Sequence, residues 1–212
     1  MARVRCVARA LASAPGGRVR NVGGRVEFKG SFAENLPDLG LPEVAFAGRS
    51  NVGKSSALNT LLNMRGAARV SGQPGRTQHI NLFEVAKQLV FADLPGYGFA
   101  KVPGRVQDGW KPMIEGYLAE RDALRMVVLL VDIRRSPQES DGQLLYGLTT
   151  ARIPRLVLAT KADKLGRNAR SKSLAALRKE FRLAPEELIA FSSMDRTGFD
   201  ATWDRIEEAC RE

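Results

Sequence analysis

Apolar positions along the chain fall into short compact runs separated by longer segments with helical spacing. Six runs are dense in branched and aliphatic side chains and read as strands: "EVAFA" (43–47), "INLFEVA" (80–86), "LVFADL" (89–94), "MVVLLVD" (126–132), "RLVLATK" (155–161) and "LIAFSS" (188–193). Between and around them the spacing predicts helices over 54–64, 106–121, 138–150, 169–182 and 198–211. Only "KQ" separates "INLFEVA" from "LVFADL", a link that can join antiparallel neighbours alone; the other strands are separated by helices and can run parallel. "MVVLLV" is apolar on both faces, as a sheet covered by helices on each side requires. The pattern predicts an α/β fold of three layers: a mostly parallel six-stranded sheet with one antiparallel strand and helices on both faces.

Composition adds a division along the chain. Residues 1–26 lack apolar periodicity and carry six arginines and no acid, so they read as a flexible basic arm before a single domain over 27–212. The same Arg-rich, acid-free composition is shared by organelle transit peptides, an alternative to a bacterial cytoplasmic protein. A chain of 212 residues with 44% apolar content supports one well-buried core. The longest aliphatic stretch, "MVVLLV", is far short of the roughly 18–20 residues a membrane span needs, so no membrane partner is expected. Cys6 and Cys210 lie near opposite ends without metal-ligand spacing, which fits a reducing compartment. The net charge of +10 is concentrated in the arm and in residues 161–182, where eight basic side chains face Asp163 and Glu180. Such clustering suits a polyanion such as RNA, because each neutralised phosphate releases counterions; a merely solvated basic face gives the same composition.

The stretch "AGRSNVGKSSALNTLLNM" (47–64) follows the first strand and opens the first helix. Gly48, four residues, then Gly53, Lys54 and Ser55 make the spacing of a phosphate-binding loop. Glycines allow a turn tight enough to aim successive N–H groups inward, and the helix that follows presents its positive end to the same point. Lys54 would reach the β and γ phosphates and the Ser55 hydroxyl would take a position on Mg2+. Three further motifs follow in order at strand ends. "DLPGYG" (93–98) offers Asp93 to a magnesium-bound water and the Gly96 N–H to a γ phosphate. "TKAD" (160–163) offers a buried Asp163 carboxylate that accepts from guanine N1–H and its 2-amino group, neither matched by adenine; Lys161 would lie along the purine and Thr160 would brace the loop. "FSS" (191–193) would present backbone N–H groups to guanine O6. The segment "GQPGRTQHI" carries Thr77, a candidate second magnesium ligand. Each sits at a strand end or in an adjacent loop, which fits the rule that open α/β sheets bind nucleotides at the carboxyl ends of their strands.

Together "PEVAFAGRSNVGKSSALNTL", "PGRTQHINLFEV", "DLPGYGFAKVP", "TKADKL" and "FSS" resemble the EngB (also called YsxC or YihA) ribosome-biogenesis GTP-binding proteins, a likeness in motif order over about residues 27–210. The resemblance implies a P-loop GTPase fold, magnesium-dependent binding of GTP and GDP, and a role in assembling the large ribosomal subunit, with its precursor and rRNA as partners and a monomer as the working form. By position, the family's nucleotide contacts would fall on Gly48, Arg49, Ser50, Asn51, Val52, Gly53, Lys54 and Ser55. They continue on Gly75, Arg76, Thr77, Gln78 and His79, and on Asp93, Leu94, Pro95 and Gly96. The base would meet Thr160, Lys161, Ala162 and Asp163, with Phe191, Ser192 and Ser193, while Ser55 and Thr77 would ligate the magnesium.

Many GTPases orient the attacking water with a glutamine after the D-x-x-G glycine; here that residue is Tyr97, which cannot both accept from water and donate to phosphate as a carboxamide does. Slow intrinsic turnover is therefore expected, with Lys54, Thr77 and Arg76 the candidates for a direct catalytic part. Asn51 resembles the asparagine with which related GTPases hold K+ beside the phosphates; a turn residue before a helix is the plainer reading. His79 is the single histidine, which leaves no Ser-His-Asp chemistry. Trp110 and Tyr117 fit an apolar helical face. A molecular switch is the leading expectation, in which GTP orders residues 65–79 and 96–105. A metabolic NTPase and a constitutive RNA-binding protein with structural nucleotide are the competing classes.

Overall fold

The computed structural model describes residues 25–64, 66, 79–97 and 114–211. Seven strands form one sheet: β1 Val26–Phe32, β2 Glu43–Gly48, β3 Ile80–Val85, β4 Leu89–Asp93, β5 Leu124–Asp132, β6 Arg155–Thr160 and β7 Leu188–Ala190. The helices are α1 Lys54–Leu61, a helical stretch over 114–120 (α2), α3 Glu139–Thr150, α4 Arg167–Phe181 and α5 Phe199–Ala209. Across the sheet the order is β1-β3-β4-β2-β5-β6-β7. Pairings β4·β2, β2·β5, β5·β6 and β6·β7 are parallel, and β3 runs antiparallel to both of its neighbours.

The six strands read from the apolar runs are present, and β3 is the single reversed strand. Among the described residues the strand count is corrected to seven, because β1 pairs with β3 at the edge. β1 escapes detection for a local reason. Its alternation breaks at a bulge between Phe28 and Gly30, and Phe28 stays 55% exposed, so no apolar run marks it. At the hairpin, the central residues are Ala86 and Lys87, both at positive φ, and Gln88 N donates to Val85 O across them at 3.0 Å. Positive φ at both positions is the primed geometry that matches strand twist. β7 ends at Ala190, shorter than its apolar run suggests: the chain turns at once, with Ser192 N donating to Thr197 O.

β2 is buried along its whole length, and its side chains divide by the strand period. Val44 and Phe46 join Leu58, Leu61, Phe91, Trp203 and Ile206 in the layer under α1 and α5. Ala45 and Ala47 face the opposite layer, where Ile114, Tyr117, Leu145, Leu148 and Leu177 bring in α2, α3 and α4. At the amino end of β2 the fully buried Glu43 accepts from Tyr117 OH at 2.9 Å and from Arg121 Nε and Nη2 at 2.9 and 2.5 Å. Arg121 also donates to Leu36 O and Pro37 O, which ties the β1–β2 connection and α2 to the sheet. Tyr117 thus lies on an apolar helical face as expected, while Trp110 falls outside the described residues. The carboxyl ends of β2, β4, β5 and β6 all open on the same edge of the sheet, where the site is built.

Candidate functional site

β2 stops at Gly48 because the chain must turn into α1, whose first residue is Lys54. Gly53 caps α1 at φ 104, a conformation that a residue with a Cβ rarely adopts. The turn is held beside the exit of β4. Arg49 and Tyr97 form a one-residue parallel bridge, Ser50 N donates to Tyr97 O at 3.1 Å, and Leu94 N donates to Phe46 O at 3.0 Å. A Cβ on Gly96 would stand 3.0 Å from Ser50 Oγ, so a side chain there would press on the loop. Leu94 and Pro95 are buried beneath this junction.

Inside the turn the Lys54 ammonium pairs with Asp93 at the end of β4; the two side chains are 12% and 9% exposed. Asn81 Nδ2 lies 3.4 Å from the other Asp93 oxygen. The cation and carboxylate expected to meet phosphate and magnesium are thus paired with each other, with the half-buried Ser55 next along α1. Such a pair, partly desolvated, gives Lys54 a partner until a more negative group arrives.

The base motif reaches the phosphate loop from the end of β6. Thr160 is 3% exposed, and its Oγ1 lies 2.6 Å from Val52 O and 3.0 Å from Val131 O, so its hydroxyl braces the phosphate loop from below. Lys161, at φ 60, donates through Nζ to Asn51 O at 2.8 Å and to Asp132 Oδ2 at 2.9 Å. Its stem therefore spans from base motif to phosphate loop. Ala162 is buried and its N–H donates to Phe191 O at 3.1 Å, which fastens "TKAD" to "FSS". Asp163 Oδ1 accepts from Ser192 Oγ at 2.8 Å, and Lys164 stands 3.3 Å from the other oxygen. The Ser192 hydrogen bond, then Lys164, hold this carboxyl below its ordinary range. The expectation of a buried Asp163 is corrected: its side chain is 17% exposed, because it lies in the turn Ala162–Lys164 that follows β6 rather than within the strand. Ser192 is fully buried and its Oγ also receives Met194 N at 3.1 Å, while Ser193 is half-buried.

Gly75, Arg76, Thr77 and Gln78 lie outside the described residues, and His79 is exposed just before β3. Three residues that the motif reading passed over complete the loop's surroundings. Asp132 ends β5, is buried, and receives Arg134 through Nε and Nη2 at 2.9 and 2.7 Å as well as Lys161. Burial opposes its ionisation, but the bonds from Arg134 and Lys161 prevail and hold the carboxyl well below the usual carboxylate range. Gln138 accepts from Arg49 Nη1 at 3.0 Å. Asp141 accepts from Tyr97 OH at 2.6 Å; burial raises both its carboxyl and the Tyr97 phenol. The signal was present in "MVVLLVD": an acid closing an otherwise apolar central strand sits at the crevice where such sheets bind ligands. A cleft lined by Arg49, Asn51, Asp132, Arg135, Gln138 and Asp141 separates the loop from the start of α3.

Comparison with known proteins adds the family. Residues 43–161 match the model of a "50S ribosome-binding GTPase" family. The chain is 49% identical over 178 residues, 84% of it and 86% of the relative, to the "Probable GTP-binding protein EngB" of Geobacter sulfurreducens. It is 47% identical over 175 residues, 82% of it and 89% of the relative, to the protein of that name in Ligilactobacillus salivarius. Among solved structures, that of a probable GTP-binding protein engB superposes with a TM-score of 0.67 at 26% identity, covering 80% of this chain and 98% of that one. Aquifex aeolicus Era bound to GDP and AlF4- shares the fold, with a TM-score of 0.64 at 18% identity over 81% of this chain and 57% of that one. With its phosphate loop, base motif and strand order in these places, the chain belongs to the EngB family of GTP-binding proteins and carries its GTPase domain.

Proposed function

We propose that this GTPase acts as a magnesium-dependent switch in assembly of the large ribosomal subunit, gripping a precursor and its rRNA with GTP bound and letting go after slow hydrolysis. The observation that carries the nucleotide part is a chain of contacts about the phosphate loop: Lys54 pairs with Asp93, Asp163 accepts from Ser192, and Lys161 and Thr160 tie the base motif to the loop through Asn51 O and Val52 O. The ribosome-binding character by which the matched family is described supports the partner.

The donors present suit magnesium, which prefers carboxylate, hydroxyl and water oxygens. Ser55 stands beside the Lys54–Asp93 pair, Asp93 offers a carboxylate, and Thr77, outside the described residues, would supply a second hydroxyl. Bound magnesium would neutralise charge on the β and γ phosphates. Lys54 exchanges its Asp93 partner for those phosphates, and the N–H groups of the loop and of the start of α1 point to the same anion. Asp163 selects guanine by accepting from two donors that adenine lacks, and Ser192 keeps that carboxylate ionised and aimed.

Slow turnover follows from Tyr97. Its ring is 3% exposed and its hydroxyl is spent on Asp141, so the side chain after Gly96 turns into the core and this position offers the attacking water no orienting group. A partner or a cation such as K+ at Asn51 would then supply what is missing. Arg76 and Thr77 remain candidates for a part in the transition state. The bacterial relatives support a bacterial setting, and a cytoplasmic monomer completes the reading.

Cosedimentation with large-subunit precursors tests the switch. Binding should be tighter with a non-hydrolysable GTP analogue than with GDP, since a ligand shifts an equilibrium only by its differential affinity for the two states. Equal binding in both states would replace the switch by a constitutive RNA-binding protein with structural nucleotide.

A further inference from the structure

Helix α4 is held to the fold by very little. Leu177 is its only buried residue, with Leu174 and Phe181 partly buried beside it. The remaining surface is basic. Arg167, Lys172, Arg178 and Lys179 on the helix and Arg182 at its end are all exposed, and none makes an ion pair or side-chain hydrogen bond with a described residue. At 3.6 residues per turn these five fall within an arc of about 140°, along roughly 22 Å of helix. Asn168, Ser171 and Ala175 lie among them and add no bulk, while Glu180, the one acid of α4, points outside the arc.

The concentration is particular to this element. On the other layer, α5 carries Asp200, Asp204, Glu207 and Glu208 against Arg205. A general surplus of basic residues would not leave one helix acidic and another with five unpaired cations in a row.

We propose that the exposed face of α4 is an RNA-docking surface that supplies a nucleotide-independent share of the contact with the phosphate backbone, beside the share that the switch segments control. The proposal rests on the ribosomal reading above for its partner and adds the surface and its regulation. Cations without a partner among the described residues, spaced along one stripe of a helix, match the charge of a backbone and recover counterion entropy on contact. An anionic membrane fits less well, since surface helices that bind lipid insert an apolar face, and the apolar residues of α4 are spent on the core. Nucleotide independence follows from connectivity. α4 is anchored through Gly166 and the short 3-10 turn Ala162–Lys164 to the base motif, and neither belongs to 65–79 or 96–105, the segments expected to follow the γ phosphate.

The test uses the full chain and the triple substitution Lys172→Gln, Arg178→Gln and Lys179→Gln, which keeps good helix formers at exposed positions. Binding to deproteinised large-subunit rRNA is measured over a salt series, with GDP and with a non-hydrolysable GTP analogue. The variant should lower the magnitude of the slope of log affinity against log salt by about 2–3, equally in both nucleotide states, with GDP affinity and melting temperature unchanged. An unchanged slope in a folded variant would make α4 a solvated face. A change confined to the GTP state would place α4 inside the switch and overturn the independence. Loss of binding to phosphatidylglycerol vesicles without loss of rRNA binding would assign the face to lipid. Because naked rRNA is the probe, the result stands apart from the precursor cosedimentation: a switch that fails there leaves the salt slope of α4 to be read on its own.

Discussion

Asp132 holds Lys161 Nζ at 2.9 Å, and the proposal that it thereby positions Lys161 for guanine nucleotide is measured by the substitution Asp132→Asn. The Lys161 side chain is 29% exposed and is pinned at its tip by two acceptors, Asn51 O and Asp132 Oδ2. Removing the carboxylate charge leaves one pin and frees rotamers that must be ordered again when the nucleotide arrives. Immobilising one such side chain costs about 0.5–1.5 kcal/mol, so GDP should bind roughly two- to twelvefold more weakly. Asn keeps the shape and can still accept from Arg134 N, which sits 3.1 Å from Oδ1, so the end of β5 should hold. Titration with a fluorescent GDP analogue reads the affinity, and the double variant with Lys161→Met completes a cycle. If Asp132 acts through Lys161, the two losses overlap and the double variant binds little worse than Lys161→Met alone. Additive losses, or a folded Asp132→Asn protein with unchanged affinity, would refute the reasoning. The pH dependence has a definite sign. The folded carboxyl is depressed, so its contribution is present above its unfolded value near 4 and is lost only as pH falls through the lower folded value. Nucleotide affinity in the unsubstituted protein should accordingly show no step from Asp132 between about pH 5 and 8.

Glu43→Ala should cost about 3–5 kcal/mol in urea unfolding, because Arg121 and the Tyr117 hydroxyl lose a fully buried partner; a loss below about 1 kcal/mol would show the network to be dispensable. Asp163→Ala should weaken GTP by at least about a hundredfold while leaving ATP, already weak, nearly unchanged, and calorimetry with both nucleotides decides it. Hydrolysis compared in potassium and sodium buffers should be faster in potassium if the exposed Asn51 helps to hold a cation beside the phosphates, and equal rates would remove that role.

The chemistry of the phosphate loop and the class of the fold were legible in the chain because both are local. Gly48, Gly53, Lys54 and Ser55 need only their spacing and a strand and helix around them, and the central strands announce themselves by being apolar on both faces. β1 was not legible: a bulge at Phe28–Gly30 breaks its alternation, and an edge strand gains its identity from the partner β3 supplies. Tertiary structure also decided the pairings that join distant motifs. Lys54 meets Asp93 across 39 residues, Tyr97 meets Asp141 across 44 and Thr160 reaches Val52 across 108, distances along the chain that no window of sequence spans. Asp132 carries no motif of its own; its role appears only when parallel pairing sets the end of β5 beside that of β6, opposite Thr160, and Lys161 turns back over the loop. Residue type and spacing thus determined what could bind, while the register of the sheet decided which side chains hold those groups in place, since hydrogen bonds and burial depend on through-space neighbours that only the folded sheet creates.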